Sequence, residues 1–125
     1  MFITYLKGEK MKIAIIGSRN LKVEALDEYL PSEVSEIVSG GAVGIDSCAR
    51  EYAIRNEIKL TEFLPEYDKY KRGAPIVRNR KIVEYADEVI ALWDGESRGT
   101  LSVIKYCEKS GKKCRIFRIE GNNAK

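Results

Sequence analysis

Apolar residues along this chain switch between short continuous runs and stripes with helical spacing. The continuous runs, which end at glycine, proline or polar residues, predict five strands at 12–17, 34–38, 59–64, 88–93 and 113–119. The helical stripes predict four helices, at 21–30, 45–55, 75–85 and from about residue 100 onwards. Strands that alternate with helices form βαβ units. We therefore predict an α/β fold, a Rossmann-like doubly wound parallel sheet in the order 3-2-1-4-5 with helices on both faces.

The length of 125 residues is that of one domain, and we expect residues 1–125 to form a single one. Two interpretations stay open for residues 1–11. Either residues 2–6 add an edge strand, or Met11 is the functional start and the segment before it is extra. The first ten residues lack the basic leader and the long apolar stretch of a signal peptide. We expect residues 120–125 to form a frayed tail.

Composition restricts the chemistry more than it identifies a partner. The 22 Lys and Arg against 19 Asp and Glu give a net charge of +3, which does not by itself indicate nucleic acid. The absence of histidine excludes Ser-His-Asp and Cys-His catalysis and histidine metal sites. Three cysteines without a CxxC pair fit a reducing cytoplasm, and Cys48 and Cys107 are interpreted as small core residues. We expect a cytoplasmic protein with no metal, no cofactor and no membrane span.

Three glycine-rich loops follow predicted strands, and the topology brings them to one place. Ligands of an open parallel sheet bind beyond the carboxyl ends of the strands, where the strand order reverses. In the predicted order this point lies between the first and fourth strands. The loops that meet there are 17–20, 39–46 and 94–100. Topology and composition therefore predict the same binding site independently.

The loop 39–46, SGGAVGID, is the strongest candidate for binding an anion. Gly40, Gly41 and Gly44 lie between a strand and a helix, where glycine permits close backbone approach and the helix offers unpaired N–H groups. The alternative is that any tight turn between a strand and a helix favours glycine. Asp46 either contacts a ligand hydroxyl or only stabilises the first helical turn.

The other two loops add hydroxyls and a guanidinium. Gly17, Ser18 and Arg19 follow the first strand, and arginine there suits bidentate phosphate recognition, although it could be a solvated surface charge. The last loop offers three further candidates for contact with phosphate, and simple capping by its serine is equally compatible with the sequence. These candidates are Ser97, Gly99 and Thr100.

A basic stretch at 69–83 contains no acidic residue, and Tyr67 and Tyr70 lie beside it. Aromatic residues among basic ones are typical of a single-strand groove or a base-stacking pocket, whereas a solvated helix face is the alternative. Arg78 and Arg80 bracket Asn79, so we expect at least one arginine to face the predicted site. The P-loop and GxGxxG motifs are both absent, which disfavours ATP hydrolysis and dinucleotide chemistry.

Four segments in this order resemble the SLOG superfamily of Rossmann-like domains: GSR, SGGAVGID, VRNRKI and WDGESRGT. The resemblance spans about residues 12–119. Within the superfamily, the chain is similar to the small YspA-type proteins and to the Rossmann-like core of the DNA-processing protein A (DprA/Smf) family. The second resemblance implies single-stranded DNA as a partner and a role in DNA processing.

A more distant resemblance is to the Lonely-guy phosphoribohydrolases, which release a base from a nucleoside monophosphate. Arg80 and Lys81 match the Arg-Lys pair of that family, but Val103 occupies the place of its catalytic Glu. Weak catalytic candidates are then Arg80, Asp94 and Glu96, and whether the protein is an enzyme stays open.

Our first interpretation is therefore a SLOG-type domain that binds a nucleotide or a nucleotide-derived phosphate ligand. Single-stranded DNA binding and phosphoribohydrolase activity are the alternatives, and a homo-oligomer is left open. The residues expected to hold the ligand are the three glycines of 39–46 with Asp46, the loop Gly17, Ser18 and Arg19, the helix residues Arg78, Asn79 and Arg80, and Ser97, Gly99 and Thr100.

Overall fold

A computed structural model describes residues 11–120 of the chain. The expected edge strand at 2–6 and the tail beyond residue 120 lie outside the described residues. The strands are β1 (Lys12–Gly17), β2 (Glu36–Ser39), β3 (Lys59–Glu62), β4 (Glu88–Trp93) and β5 (Cys114–Arg118). The helices are α1 (Ile45–Arg55), the single turn α2 (Tyr67–Tyr70), α3 (Ala74–Tyr85) and α4 (Arg98–Ser110), with 3-10 turns at Leu26–Tyr29 and Lys71–Gly73.

The five strands form one parallel sheet in the order β3-β2-β1-β4-β5, which confirms the predicted fold class and strand order. Ile13 at the centre of the sheet lies opposite Ile37 on one side and Glu88 on the other. β1 and β4 are therefore neighbours, and the loops that follow them meet at the carboxyl edge of the sheet.

Each face of the sheet has its own hydrophobic core. Ile13 and Ile15 of β1 point to the face covered by α1 and the first 3-10 turn, whereas Ala14 and Ile16 point to the face covered by α3 and α4. All four are buried, which explains why this strand is apolar at consecutive positions. Cys107 is buried in the second core as expected, but Cys48 is only half-buried.

The predicted helix at 21–30 is wrong. Only Leu26–Tyr29 is helical, as a 3-10 turn in which Glu28 N–H donates to Ala25 O and Leu30 N–H donates to Asp27 O. The apolar residues still reach the core, because Leu21 and Leu26 are both buried. Their spacing of five residues would place them on different faces of an α-helix, whereas an irregular segment can bury both.

Smaller differences concern the ends of elements. The strand predicted at 34–38 lies at Glu36–Ser39, β3 ends at Glu62 rather than at residue 64, and α4 begins at Arg98. At the start of β2 the N–H groups of Ser35 and Glu36 both donate to Met11 O, the carbonyl of the residue before β1. Among residues 11–120, no helix is both long and apolar enough to span a bilayer.

Candidate functional site

A cleft of about 290 Å³ opens at the carboxyl edge of the sheet. The end of β1, the loops that follow β1 and β2, the first turns of α1 and α4, and α3 surround it, which is the predicted position. It brings together nine of the residues expected from the sequence: Gly17, Arg19, Gly40, Asp46, Arg78, Asn79, Ser97, Gly99 and Thr100. Five further lining residues were not expected, namely Ile16, Ala42, Pro75, Ile82 and Val103. Most of these are apolar, and only their shared position at the carboxyl edge could have indicated them.

Arg78 holds the cleft together. Its Nη1 donates to Gly40 O at 2.8 Å and to Phe63 O at 3.3 Å, and its Nε donates to Asn79 Oδ1 at 2.8 Å. One guanidinium on α3 therefore fixes the loop after β2 and the end of β3. Because α3 is a regular helix, the guanidinium is presented from a rigid element.

Two guanidiniums converge on the cleft. Burial lowers the pKa of Arg78, and the charge of Arg19 lowers it further, while the charges of Asp46 and Tyr67 act in the opposite direction. Arg19 is exposed at the mouth, and Arg78 is half-buried behind it. The cleft therefore presents two guanidiniums together with the carboxyl group of Asp46, and guanidiniums suit phosphate oxygens.

Asp46 lies in the first turn of α1, is 8% exposed and faces the same cleft. Its Oδ2 accepts the N–H of Ala42 at 3.1 Å, which fixes the loop before the helix. Burial raises the pKa of Asp46, against the hydrogen bond from Ala42 and the charge of Arg78. A carboxyl group whose pKa is raised inside a cleft is typical of functional sites, although this one also has a structural contact.

Gly40 lines the cleft because Arg78 needs the space. A Cβ at residue 40 would lie 2.7 Å from Arg78 Nη1 and 3.1 Å from Asp46 Oδ2. The close backbone approach expected here is thus made by a side chain of the protein itself. This contact links residues 38 positions apart, so no local pattern could reveal it.

Gly41 and Gly44 lie outside the cleft lining. Gly44 has φ of 75°, and a Cβ there would overlap the backbone of Arg19. Gly41 faces Leu64, at 2.6 Å from where its Cβ would be. Packing between loops therefore accounts for both glycines, whereas Gly99 in α4 has open space around it.

Ser18, Asp94 and Glu96 do not line the cleft either. Ser18 is buried, and its Oγ accepts the N–H of Asp94 at 3.2 Å. Asp94 Oδ1 accepts the N–H groups of Glu96 and Ser97, both at 2.8 Å. The hydrogen bond from Glu96 is the largest influence on the pKa of Asp94 and, against the effect of burial, helps to lower it. Asp94 thus shapes the loop, and Glu96 is exposed.

The start of α4 combines a cap with the cleft wall. Ser97 is the N-cap residue, and its Oγ accepts the N–H of Thr100 at 3.3 Å. Trp93 Nε1 donates to Ser97 O at 3.0 Å, which fixes the loop against the end of β4. Capping by Ser97 is therefore present, and both Ser97 and Thr100 still line the cleft.

The basic stretch does not form one surface. Arg78 faces the cleft, whereas Arg80 lies outside it, with its guanidinium 5.3 Å from the ring centre of Tyr106 on α4. Two residues along a helix are about 200° apart, which places these arginines on different sides of α3. Lys81 pairs with Glu66 at 3.1 Å, and Lys69 lies over the ring of Tyr70.

Val103 lines the cleft and is 2% exposed. It occupies the place at which the Lonely-guy resemblance expects a catalytic Glu, so that wall is apolar. Among residues 11–120, no group of three His, Cys, Asp or Glu side chains is arranged to hold a metal ion.

Comparison with known proteins gives one match. The family model described as DNA recombination-mediator protein A matches residues 3–66, just over half of the chain. This range includes β1 to β3, α1 and the two loops at 17–20 and 39–46 that border the cleft. The comparisons with curated proteins and with solved structures gave no match.

Proposed function

The chain belongs to the DNA recombination-mediator protein A family, and we propose that its cleft binds the phosphate of a nucleotide unit within single-stranded DNA. Family membership relates the protein to DNA processing. The observation that carries the proposal is the convergence of Arg19 and Arg78 on one cleft, between the N-termini of α1 and α4. Guanidiniums and helix N-termini are both suited to phosphate oxygens.

In this proposal the side chains have different tasks. Arg19 is exposed and contacts the phosphate directly. Arg78 supplies the second positive charge and, through Gly40 O and Phe63 O, keeps the loop in position. Ser97 offers a hydroxyl at the start of α4, and the half-buried Ala42 and Pro75 give apolar surface that a sugar or base can contact.

A free nucleotide is the second candidate, favoured by the size of the cleft. A volume of about 290 Å³ accommodates roughly one nucleotide unit rather than several. The same residues would then hold a nucleotide-derived small molecule. The two candidates differ in how many phosphates are contacted, and that number can be measured.

The distinguishing experiment is a titration with labelled oligothymidylate of about eight nucleotides, at increasing salt. A strand that contacts several phosphates should lose affinity with a log–log slope of about −0.7 per phosphate, whereas a mononucleotide should give a much shallower slope. If no strand binds at low salt and a mononucleotide does, the second candidate replaces the first.

A matched pair of variants tests the position of the site. Arg19→Gln should weaken strand binding about tenfold or more, because it removes a charge-assisted hydrogen bond. Lys22→Gln removes the same charge from an exposed residue three positions away that does not line the cleft, and it should bind like the wild type. Equal losses in both variants would mean that the cleft is not the site.

A further inference from the structure

A second concave surface lies between α3 and α4, on the outer side of the same layer. We call it the α3–α4 groove. Its volume is about 190 Å³, and the residues that matter here are Ile76, Asn79, Arg80, Lys105, Tyr106 and Lys109. None of the functions considered above uses this groove.

The groove is positively charged. Arg80 comes from α3, and Lys105 and Lys109 lie one helical turn apart on α4; all three are exposed. Within the part of the chain that the structure describes, none of the three forms an ion pair, and no carboxylate lines the groove. Tyr106 contacts one carboxylate beside the groove, since its hydroxyl donates to Glu84 Oε2 at 2.7 Å. These three charges suit an anionic partner.

The groove also offers surface for a base. Ile76 is 51% exposed at this position, and Tyr106 is half-buried beside it. The hydrogen bond to Glu84 and the guanidinium of Arg80 hold the Tyr106 ring in place. Cationic side chains beside fixed apolar and aromatic ones are the combination that single-strand grooves use.

The groove and the cleft are neighbours that share one lining residue. Asn79 lines both, so only this side chain and the adjacent part of α3 separate the two surfaces. Arg78 and Arg80, on either side of Asn79, face the cleft and the groove respectively. A single chain of phosphates passing over Asn79 would therefore meet positive charge on both sides of it.

We propose that the α3–α4 groove binds the nucleotides of a single DNA strand adjacent to the one held in the cleft. Lys105, Lys109 and Arg80 contact successive phosphates, and Tyr106 with Ile76 contacts a base. The inference rests on the proposed function, since it takes the cleft as the first contact of the strand.

The test compares two probes and two double variants. The probes are thymidine 5′-monophosphate, which fills only the cleft, and an oligothymidylate of about eight nucleotides, which reaches further. Lys105→Gln/Lys109→Gln removes two charges from the groove. Lys22→Gln/Arg55→Gln removes two charges from exposed residues on the opposite face of the sheet, as the control.

The groove variant should bind the longer strand at least about tenfold more weakly at low salt, and its log–log salt slope should fall in magnitude by about 1.4, the value for two phosphates. Its affinity for thymidine 5′-monophosphate should stay within about twofold of the wild type. The control variant should retain both the affinity for the longer strand and its slope.

The other outcomes separate the two proposals. If the wild type binds both probes and the groove variant has an unchanged salt slope for the longer strand, the groove does not bind the strand. The proposal for the cleft is then unaffected. Equal losses in the groove and control variants also overturn it, because they indicate general attraction to a basic protein. If the wild type binds neither probe, the proposed function fails and this inference fails with it.

Discussion

Buried carboxylates lie at both ends of the strands of the parallel sheet. We call the end where the strands begin the amino edge and the end where they finish the carboxyl edge. The surroundings of the carboxylates differ between the two. At the amino edge, Glu36 begins β2 and is 5% exposed. It accepts the hydroxyls of Thr61 and Tyr85, both at 2.6 Å, and Lys59 Nζ lies 3.8 Å away. At the carboxyl edge, Asp46 accepts a backbone N–H and faces an open cleft.

Glu88 is the second buried carboxylate of the amino edge, two strands along the sheet from Glu36, and its partners are basic side chains rather than hydroxyls. It begins β4, is 4% exposed and forms an ion pair with Arg115 of β5, with Nε 2.8 Å from Oε2. Lys113 lies 4.0 Å from its other oxygen. Both buried glutamates therefore have partners from the neighbouring edge strand, and neither faces a cleft.

The pKa values show what this difference means. Burial acts to raise the pKa of Glu36, but the hydrogen bonds from Thr61 and Tyr85 and the charges of Lys59 and Lys12 hold it below its ordinary value. For Asp46 the effect of burial prevails, and the pKa is raised. The amino edge stabilises its charge with dedicated partners, which indicates a structural role. At the carboxyl edge Asp46 lacks such side-chain partners and lines the cleft, as the proposed function requires.

The largest expected effect concerns catalysis, and its test is whether the cleft at the carboxyl edge cleaves a nucleotide. Incubation with AMP should release little free base, because Val103 stands where the Lonely-guy resemblance expects the catalytic Glu, and general acid–base help is typically worth about 10²–10⁴-fold. The measurement is chromatographic detection of adenine over time. Rapid release that Asp46→Asn abolishes would make the cleft an active site and contradict this expectation.

The next effect concerns the glycines of the carboxyl edge. Gly44→Ala should lower the free energy of unfolding by about 2–4 kcal/mol, because the residue has positive φ and its Cβ would overlap the Arg19 backbone. Gly99→Ala, which meets open space within α4, should instead gain about 0.5–1 kcal/mol. Urea denaturation of both variants measures the difference. A loss for Gly99→Ala as large as that for Gly44→Ala would contradict the distinction.

The comparison of the two edges is tested directly by removing one carboxylate from each. Glu36→Ala should cost about 1–3 kcal/mol, since the hydroxyls of Thr61 and Tyr85 lose their acceptor. Asp46→Asn should cost less than about 1 kcal/mol, because the amide oxygen can still accept the Ala42 N–H. If Asp46→Asn proved the more destabilising change, the carboxyl edge would be the structural one.

The smallest effect is the dependence of stability on pH. The pKa of Glu36 is lowered from 4.5, so its contribution is fully present above that pH and is lost as the pH falls through the folded value. The pKa of Asp46 is raised from 3.8, so its contribution is present below that pH and is lost as the pH rises through the folded value.

Urea denaturation between about pH 3 and pH 7 should therefore separate the two carboxylates. Glu36→Gln should reduce the loss of stability in acid. Asp46→Asn should become more stable relative to the wild type as the pH rises. If the free energy of unfolding changed with pH in the same direction for both variants, relative to the wild type, the two carboxylates would titrate alike.

The sequence by itself determined the frame of the site. Apolar runs such as 12–17 and 88–93 are long enough and continuous enough to specify strands buried on both faces, and the helices between them require parallel pairing. Glycine and hydroxyl residues after these strands were then expected at one edge. Ser97 could also be recognised as a cap, because that contact lies within three residues.

Tertiary structure alone decided which neighbour each polar group meets. Gly40 lies against Arg78, Ser18 against Asp94 and Glu36 against Tyr85, and the residues of each pair are 38, 76 and 49 positions apart. Helix geometry separates Arg78 from Arg80, but only the packing of α3 decides which of the two faces the cleft. Hydrophobic period and turn chemistry act over a few residues, whereas these contacts depend on where the sheet brings distant segments together. That is why the sequence located the cleft but could not distinguish the residues that line it from those that support it.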